Sequence, residues 1–199
     1  MKNTITLTFF ILGIFFNTSQ AQENTLSTNK HLSFKGVPIN GTLNEYVSKM
    51  EEKGFESISE EDRAVVLQGD FASYKDCTIG VFTLDDLNLV SQIKVIFPEC
   101  ETWASLSKDY FYLKELLLTK YGNPSDVKEE FQSNAYTKDD NFKMAAVRMN
   151  TCSYYTTFEL ENGTIQLSIE NQNNFASVML IYTDRINGDR MRAKAIDDL

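Results

Sequence analysis

The residue types that carry covalent and acid–base chemistry are sparse in this chain. There is one histidine, His31, and any Ser–His or Cys–His pair would have to use it. It follows a polar stretch, Gln22–Lys30, with no apolar periodicity to hold a catalytic base rigidly, so an exposed or strand-edge role is expected. Paired acids stand at Asp85-Asp86, Glu129-Glu130 and Asp139-Asp140. A glycosidase needs two carboxylates across a sugar, one of them in an apolar setting. These pairs fall in turns or on exposed edges, where solvated charge is the simpler reading. Lys138-Asp139-Asp140-Asn141 offers oxygens but lacks the spacing and distal Glu of an EF-hand loop. No nucleotide-binding, zinc-protease or serine-hydrolase motif is present. Asn40-Gly41-Thr42 and Asn162-Gly163-Thr164 match a glycosylation acceptor, but a helix cap and a hairpin turn account for both.

Cys77, Cys100 and Cys152 allow one disulfide in three pairings. None forms a C-x-x-C, and one His cannot complete the usual zinc site, so no metal or cofactor is expected. Cys77–Cys100 is the first choice because the two flank one hairpin. Cys77 falls opposite Ile96, which leaves Cys100 about 13 Å farther along an extended strand. The chain must fold back after Pro98 to close such a bridge. Cys152 with either partner stays open.

The elements that position these residues begin with a leader. Lys2 precedes an apolar run from Ile5 to Phe16, and Ser19 and Ala21 occupy the small-residue positions before Gln22. Met1–Ala21 reads as a signal peptide, because the run is too short for a transmembrane anchor. The expectation is an exported protein, periplasmic or secreted, with no transmembrane segment after cleavage. The chain holds 19 Lys and Arg against 28 Asp and Glu, and loss of Lys2 takes the net charge from −9 to −10. With no basic cluster to offset this, nucleic acid and anionic membrane are excluded as partners.

Thr42-Leu43-Asn44-Glu45 is a capping box opening a helix over Leu43–Lys53, and Ser57–Arg63 reads as an acidic linker. Three strands follow, Val65–Tyr74 with a bulge at Gly69, Thr78–Leu84 and Val90–Phe97, with a turn at Asp85–Asn88. Thr102 caps a helix over Trp103–Tyr121, whose apolar stripe is Trp103, Leu106, Tyr110, Leu113, Leu117 and Tyr121. Asp126–Gln132 and Met144–Met149 are strand candidates separated by a turn at Lys138–Asn141. Tyr154–Leu160, Thr164–Ile169 and Ser177–Tyr182 are stronger ones, the first two joined by a type I′ turn at Asn162-Gly163. Asn187–Leu199 is a charged, weakly held segment whose charges oppose a helix dipole.

Two segments align, CTIGVFTLDDLNLVSQIKVIFP and GTIQLSIENQNNFASVMLIYTD, and each follows a strand, a turn and a helix. The fold class expected is α+β. Two helix-plus-three-strand repeats, about 31–97 and 91–184, form one antiparallel sheet in a single domain spanning 31–184, with the helices packed on one face. Ile79, Val81, Ile93, Val95, Phe97, Ile165, Leu167, Ile169, Val178, Leu180 and Tyr182 share one strand parity and must face the helices. This architecture resembles the tandem-repeat α/β domains of secreted bacterial proteins, such as the β-lactamase inhibitor protein. The leader ending before Gln, the motif KYGNP and the tail AIDDL resemble small exported proteins of Bacteroidetes. The resemblance implies an exported, protein-binding role and carries no catalytic residues over.

The opposite parity holds Phe82, Lys94, Ile96, Tyr155, Glu159, Gln166, Met179 and Ile181. Five large apolar residues interleaved with polar ones make a candidate binding surface for another protein. The alternative is that the lead-in, the insertion at Phe131–Met149 or the C-terminal segment covers them. A non-catalytic binding module is the first reading. A carboxylate-based hydrolase and a small apolar-ligand carrier are the others.

Overall fold

A computed structural model describes residues 30–84, 88–172, 174–197 and 199. The leader, nearly all of the polar lead-in and the acid pair Asp85-Asp86 lie outside the described residues.

The described residues open with a small hairpin, β1 (Ser33–Phe34) and β2 (Val37–Pro38), then the helix α1 (Leu43–Glu51). The capping box forms: the Glu45 amide donates to Thr42 Oγ1 at 3.4 Å, and the Thr42 amide donates to Glu45 Oε2 at 3.0 Å. Four strands follow: β3 (Glu56–Glu61), β4 (Ala64–Phe71), β5 (Tyr74–Thr83) and β6 (Val90–Ile96). The helix α2 (Trp103–Tyr121) has the bounds its apolar stripe sets, with Thr102 as N-cap and Gly122 at φ 80° closing it. Then come β7 (Asp126–Phe131), a 3₁₀ turn at Asn134–Thr137, and α3 (Asp140–Arg148). The chain finishes with β8 (Cys152–Leu160), β9 (Gly163–Gln172), β10 (Phe175–Asp184) and α4 (Arg185–Asp197).

The protein is α+β. Its main sheet is antiparallel, in the order β3-β4-β5-β6-β10-β9-β8-β7. α1 and α2 are each followed by four strands rather than three, and the two sets of strands meet where β6 pairs β10, Ile93 opposite Tyr182 and Val95 opposite Leu180. All eleven residues assigned to the helix-facing parity are buried. Tyr46 and Met50 of α1, Leu106, Tyr110 and Leu113 of α2, and Met144 and Val147 of α3 join them in one core. Two aromatic groups fill its ends. Phe34 packs on Phe71 and Tyr182 at 5.0 and 5.4 Å between ring centroids, and Trp103 packs on Phe131 and Tyr154 at 5.0 Å each.

Four local expectations are corrected. Ser57–Arg63 is not a linker: Glu56–Glu61 pairs with β4 as an exposed, acidic edge strand. Val65–Tyr74 is broken by a hairpin turn at Ala72-Ser73, both at positive φ (50° and 71°), a conformation that neither residue type announces. Residues 144–149 belong to a helix and its end, because Asp139 caps the amides of Asn141 (2.9 Å) and Phe142 (3.1 Å). The β8–β9 hairpin forms, but Leu160 pairs with Gly163 around Glu161-Asn162. Neither turn residue has positive φ, so the turn is not type I′. The bulge near Gly69 is present. α4 is anchored more firmly at its start than its charges suggest: Asn187 is buried and donates to the carbonyls of Val90 (2.8 Å) and Ile39 (3.4 Å).

Candidate functional site

Strand register places the candidate surface residues together. One row crosses the whole sheet: Lys128, Tyr155, Ser168, Met179, Ile96, Thr78, Gln68 and Glu56. The next runs through Asp126, Thr157, Gln166, Ile181, Lys94, Gly80 and Val66. Phe82 and Gln92 lie in a third. Phe82, Lys94, Ile96, Tyr155, Met179 and Ile181 therefore share the face opposite the core, and none of them belongs to the core cluster. Met179 is buried by its neighbours and the other five are half-buried.

Among the described residues most contacts on this face lie within the sheet. The Phe82 ring folds over Gly80, where a Cβ would come within 2.6 Å of it, and Lys94 Nζ stands 5.6 Å from the ring centroid. The Tyr155 hydroxyl donates to Asp126 Oδ2 at 3.1 Å, and that carboxylate raises the phenol's pKa. Lys128 pairs with Glu130 at 3.0 Å. From beyond the strands, Arg185 at the start of α4 reaches Glu159 at 2.6 Å. Glu56, Glu61 and Asp126 give the face an acidic rim around an apolar centre, and Glu130 and Glu159 on the same rim are held in ion pairs by Lys128 and Arg185.

The candidate chemical residues are spent on structure. His31 Nδ1 lies 3.0 Å from Asp184 Oδ2. Asp184 is buried and also accepts from the amides of Leu32 (2.8 Å) and Asn187 (3.0 Å), so it ties the segment before β1 to α4. The two acid pairs among the described residues are divided between tasks. Glu129 faces the helices and accepts from Tyr110 (3.1 Å) and Lys114 (2.5 Å), whereas Glu130 faces the other way. Asp139 caps α3, and Asp140 accepts from the Ala104 amide at 3.2 Å. Among the described residues no group of three or more His, Cys, Asp or Glu could hold a metal ion. No helix there is long and apolar enough to cross a membrane.

The three cysteines are free thiols, which corrects the expected Cys77–Cys100 bridge. The Cys77 thiol turns to the carbonyls of Phe71 and Tyr74 inside the β4–β5 hairpin, while the Cys100 thiol turns to Asp109 on α2 at 3.4 Å. Burial pushes all three thiols up to about 11, which keeps them protonated and poorly nucleophilic near neutral pH.

A cleft that strand patterns did not foretell opens where β8 and β9 part. They pair only from Leu160–Gly163 to Tyr155–Ser168. Beyond that, Cys152–Tyr154 stay with β7 and Ile169–Gln172 stay with β10. The wedge between them measures about 300 Å³, with Val147 and Asn150 among its lining residues. Ser168 Oγ and Asn171 Oδ1, both in its lining, are buried without a hydrogen-bond partner. Register divergence is a property of pairing, so no signal within either strand marks it. The apolar cleft between α2 and the sheet, around Leu113, Leu117 and Tyr182, is only about 110 Å³, small for an apolar cargo.

Compared with protein-family models, with curated proteins and with solved structures, the chain matches none.

Proposed function

We propose that this chain is an exported, non-catalytic module that binds another protein through the sheet face opposite its helices. The observation that carries this reading is the apolar centre of that face, Phe82, Ile96, Met179 and Ile181, set among polar and acidic residues and absent from the packed core. An apolar centre within a polar rim is the anatomy of a protein interface. The acidic rim and the net charge select a partner whose complementary patch is bordered by Lys and Arg. The Met1–Ala21 leader supports export, and the likeness to tandem-repeat secreted domains belongs to the same reading. The engagement of His31, Glu129, Asp139 and Asp140 in structural bonds supports a non-catalytic role.

The test is site-specific photo-crosslinking in the source cell. A photoreactive residue replaces Phe82 or Ile181 in turn, and Phe111, exposed on α2, serves as the control. A discrete adduct from the sheet positions and none from the helix position is expected. No sheet adduct, or the same adducts from all three positions, overturns the proposal.

A further inference from the structure

Lys94 stands at the centre of the face opposite the helices. It lies on β6, the fourth of eight strands, in the middle one of the three rows that carry the surface residues. Strand register surrounds it with uncharged residues. Gln92 and Ile96 flank it on its own strand, and Ile181 and Gly80 stand opposite it on the two neighbouring strands. Phe82 and Met179 take diagonal positions, and two threonines complete the ring. The Lys94 side chain is half-buried, with its ammonium 5.6 Å from the centroid of the Phe82 ring. Among the described residues it forms no ion pair. The rim acids Glu56 and Glu61 are three strands away and Asp126 is four. Each strand spacing is about 4.8 Å, which makes these gaps about 14 and 19 Å, against a screening length of about 8 Å in physiological salt. A lone positive charge therefore occupies the apolar centre of a face whose border is negative.

A protein that covers this face takes Lys94 out of water. The contact with the Phe82 ring offsets part of that loss. A charge left without a counter-charge under an apolar cover is still costly. A carboxylate opposite Nζ removes the cost with a charge-assisted hydrogen bond. We propose that the partner carries an Asp or Glu side chain, set among apolar residues, that meets Lys94 at the centre of the interface. This rests on the sheet face being the docking surface and adds the chemistry of the partner's own centre. The complementary surface then has three zones. A single carboxylate lies in the middle, apolar side chains around it pack on Phe82, Ile96 and Ile181, and Lys or Arg at the border meets the acidic rim. That order of charge discriminates between partners. A uniformly basic surface is repelled at Lys94, a uniformly acidic one is repelled at the rim, and one with a purely apolar centre leaves Lys94 buried and unpaired.

The experiment is photo-crosslinking of the full chain in the source cell, with the photoreactive residue at position 181, directly opposite Lys94. It is run in three backgrounds: native, Lys94→Arg, which keeps the charge, and Lys94→Met, which keeps an unbranched chain and removes it. Circular dichroism melts establish that each variant is folded. The adduct yield is expected to stay near native in Lys94→Arg and to fall about tenfold in Lys94→Met. Mass mapping of the crosslinked peptide is expected to place an Asp or Glu of the partner between apolar residues. Replacing that acid by Lys, in a chain that carries Lys94→Glu, is expected to restore the adduct that either change alone removes. An undiminished adduct in Lys94→Met, equal losses in Lys94→Arg and Lys94→Met, or a crosslinked peptide without an acid overturns the proposal while leaving the sheet face as the docking surface. No adduct in the native background overturns the docking surface itself, and the proposal with it.

Discussion

His31 and Asp184 stand 153 positions apart in the chain and 3.0 Å apart in space, imidazole Nδ1 against carboxylate Oδ2. The carboxylate is the hub, because it holds the Leu32 and Asn187 amides as well. Asp184→Ala strips an acceptor from three donors in a buried setting and is expected to cost on the order of 3–5 kcal/mol. His31→Ala removes one of the three and is expected to cost about 1 kcal/mol. Urea unfolding of the two variants measures both. Equal losses would move the anchor from the carboxylate to the imidazole.

Aspartate scanning separates the two sides of the sheet. Phe82→Asp, Tyr155→Asp and Ile181→Asp fall on half-buried positions outside the core and are expected to cost about 1 kcal/mol or less. Leu113→Asp and Leu167→Asp bury an unpaired charge and are expected to leave no folded protein. Circular dichroism melts read the difference. Unfolding by the first three variants would mean that another segment lies over that face.

Gly80 and Phe82 form a testable pair. A methyl group at Gly80 meets the far end of the half-buried Phe82 ring, so Gly80→Ala is expected to cost about 1 kcal/mol by displacing it. In a Phe82→Ala background the same change is expected to be near neutral, giving a coupling energy of similar size in a double-mutant cycle. Simple additivity would show that the ring does not rest on Gly80.

Alkali should loosen the fold through its thiols. Cys77 and Cys100 titrate near 9 when unfolded and at about 11 in the folded chain, because burial penalises the thiolate. A folded pKa raised in this way leaves stability intact below pH 9 and erodes it as the pH rises toward 11. Each thiol contributes on the order of 2 kcal/mol to that loss. Denaturant midpoints measured across this window are expected to fall. Three thiols should react with a disulfide reagent in denaturant and at most one, Cys152, in buffer.

What could be read in advance followed from how local each signal is. The α2 helix was legible because its stripe, its Thr102 cap and its Gly122 stop lie within one continuous segment. The core face was legible because strand alternation fixes which side each residue takes. The Ala72-Ser73 turn was not, since positive φ there is imposed by strand pairing rather than by residue type. Residues 144–149 read as a strand because their apolar run is short, and the deciding signal was the Asp139 cap several residues earlier. The six surface candidates were placed by parity alone. The β8–β9 cleft depends on where two distant segments stop pairing, which neither segment carries.

The place of β10 in the sheet sets an order of events. It is the last strand in the chain, yet it sits in the middle, between β6 and β9. Until it has left the ribosome, two half-sheets face each other across a missing strand, and the hydrophobic floor that Val178, Leu180 and Tyr182 supply to both is absent. The early meander can form its local hairpins but cannot complete its core, so the barrier to folding falls only when β10 arrives. Under the export proposed above, a middle strand made last would keep the earlier strands from collapsing on a finished core while synthesis continues.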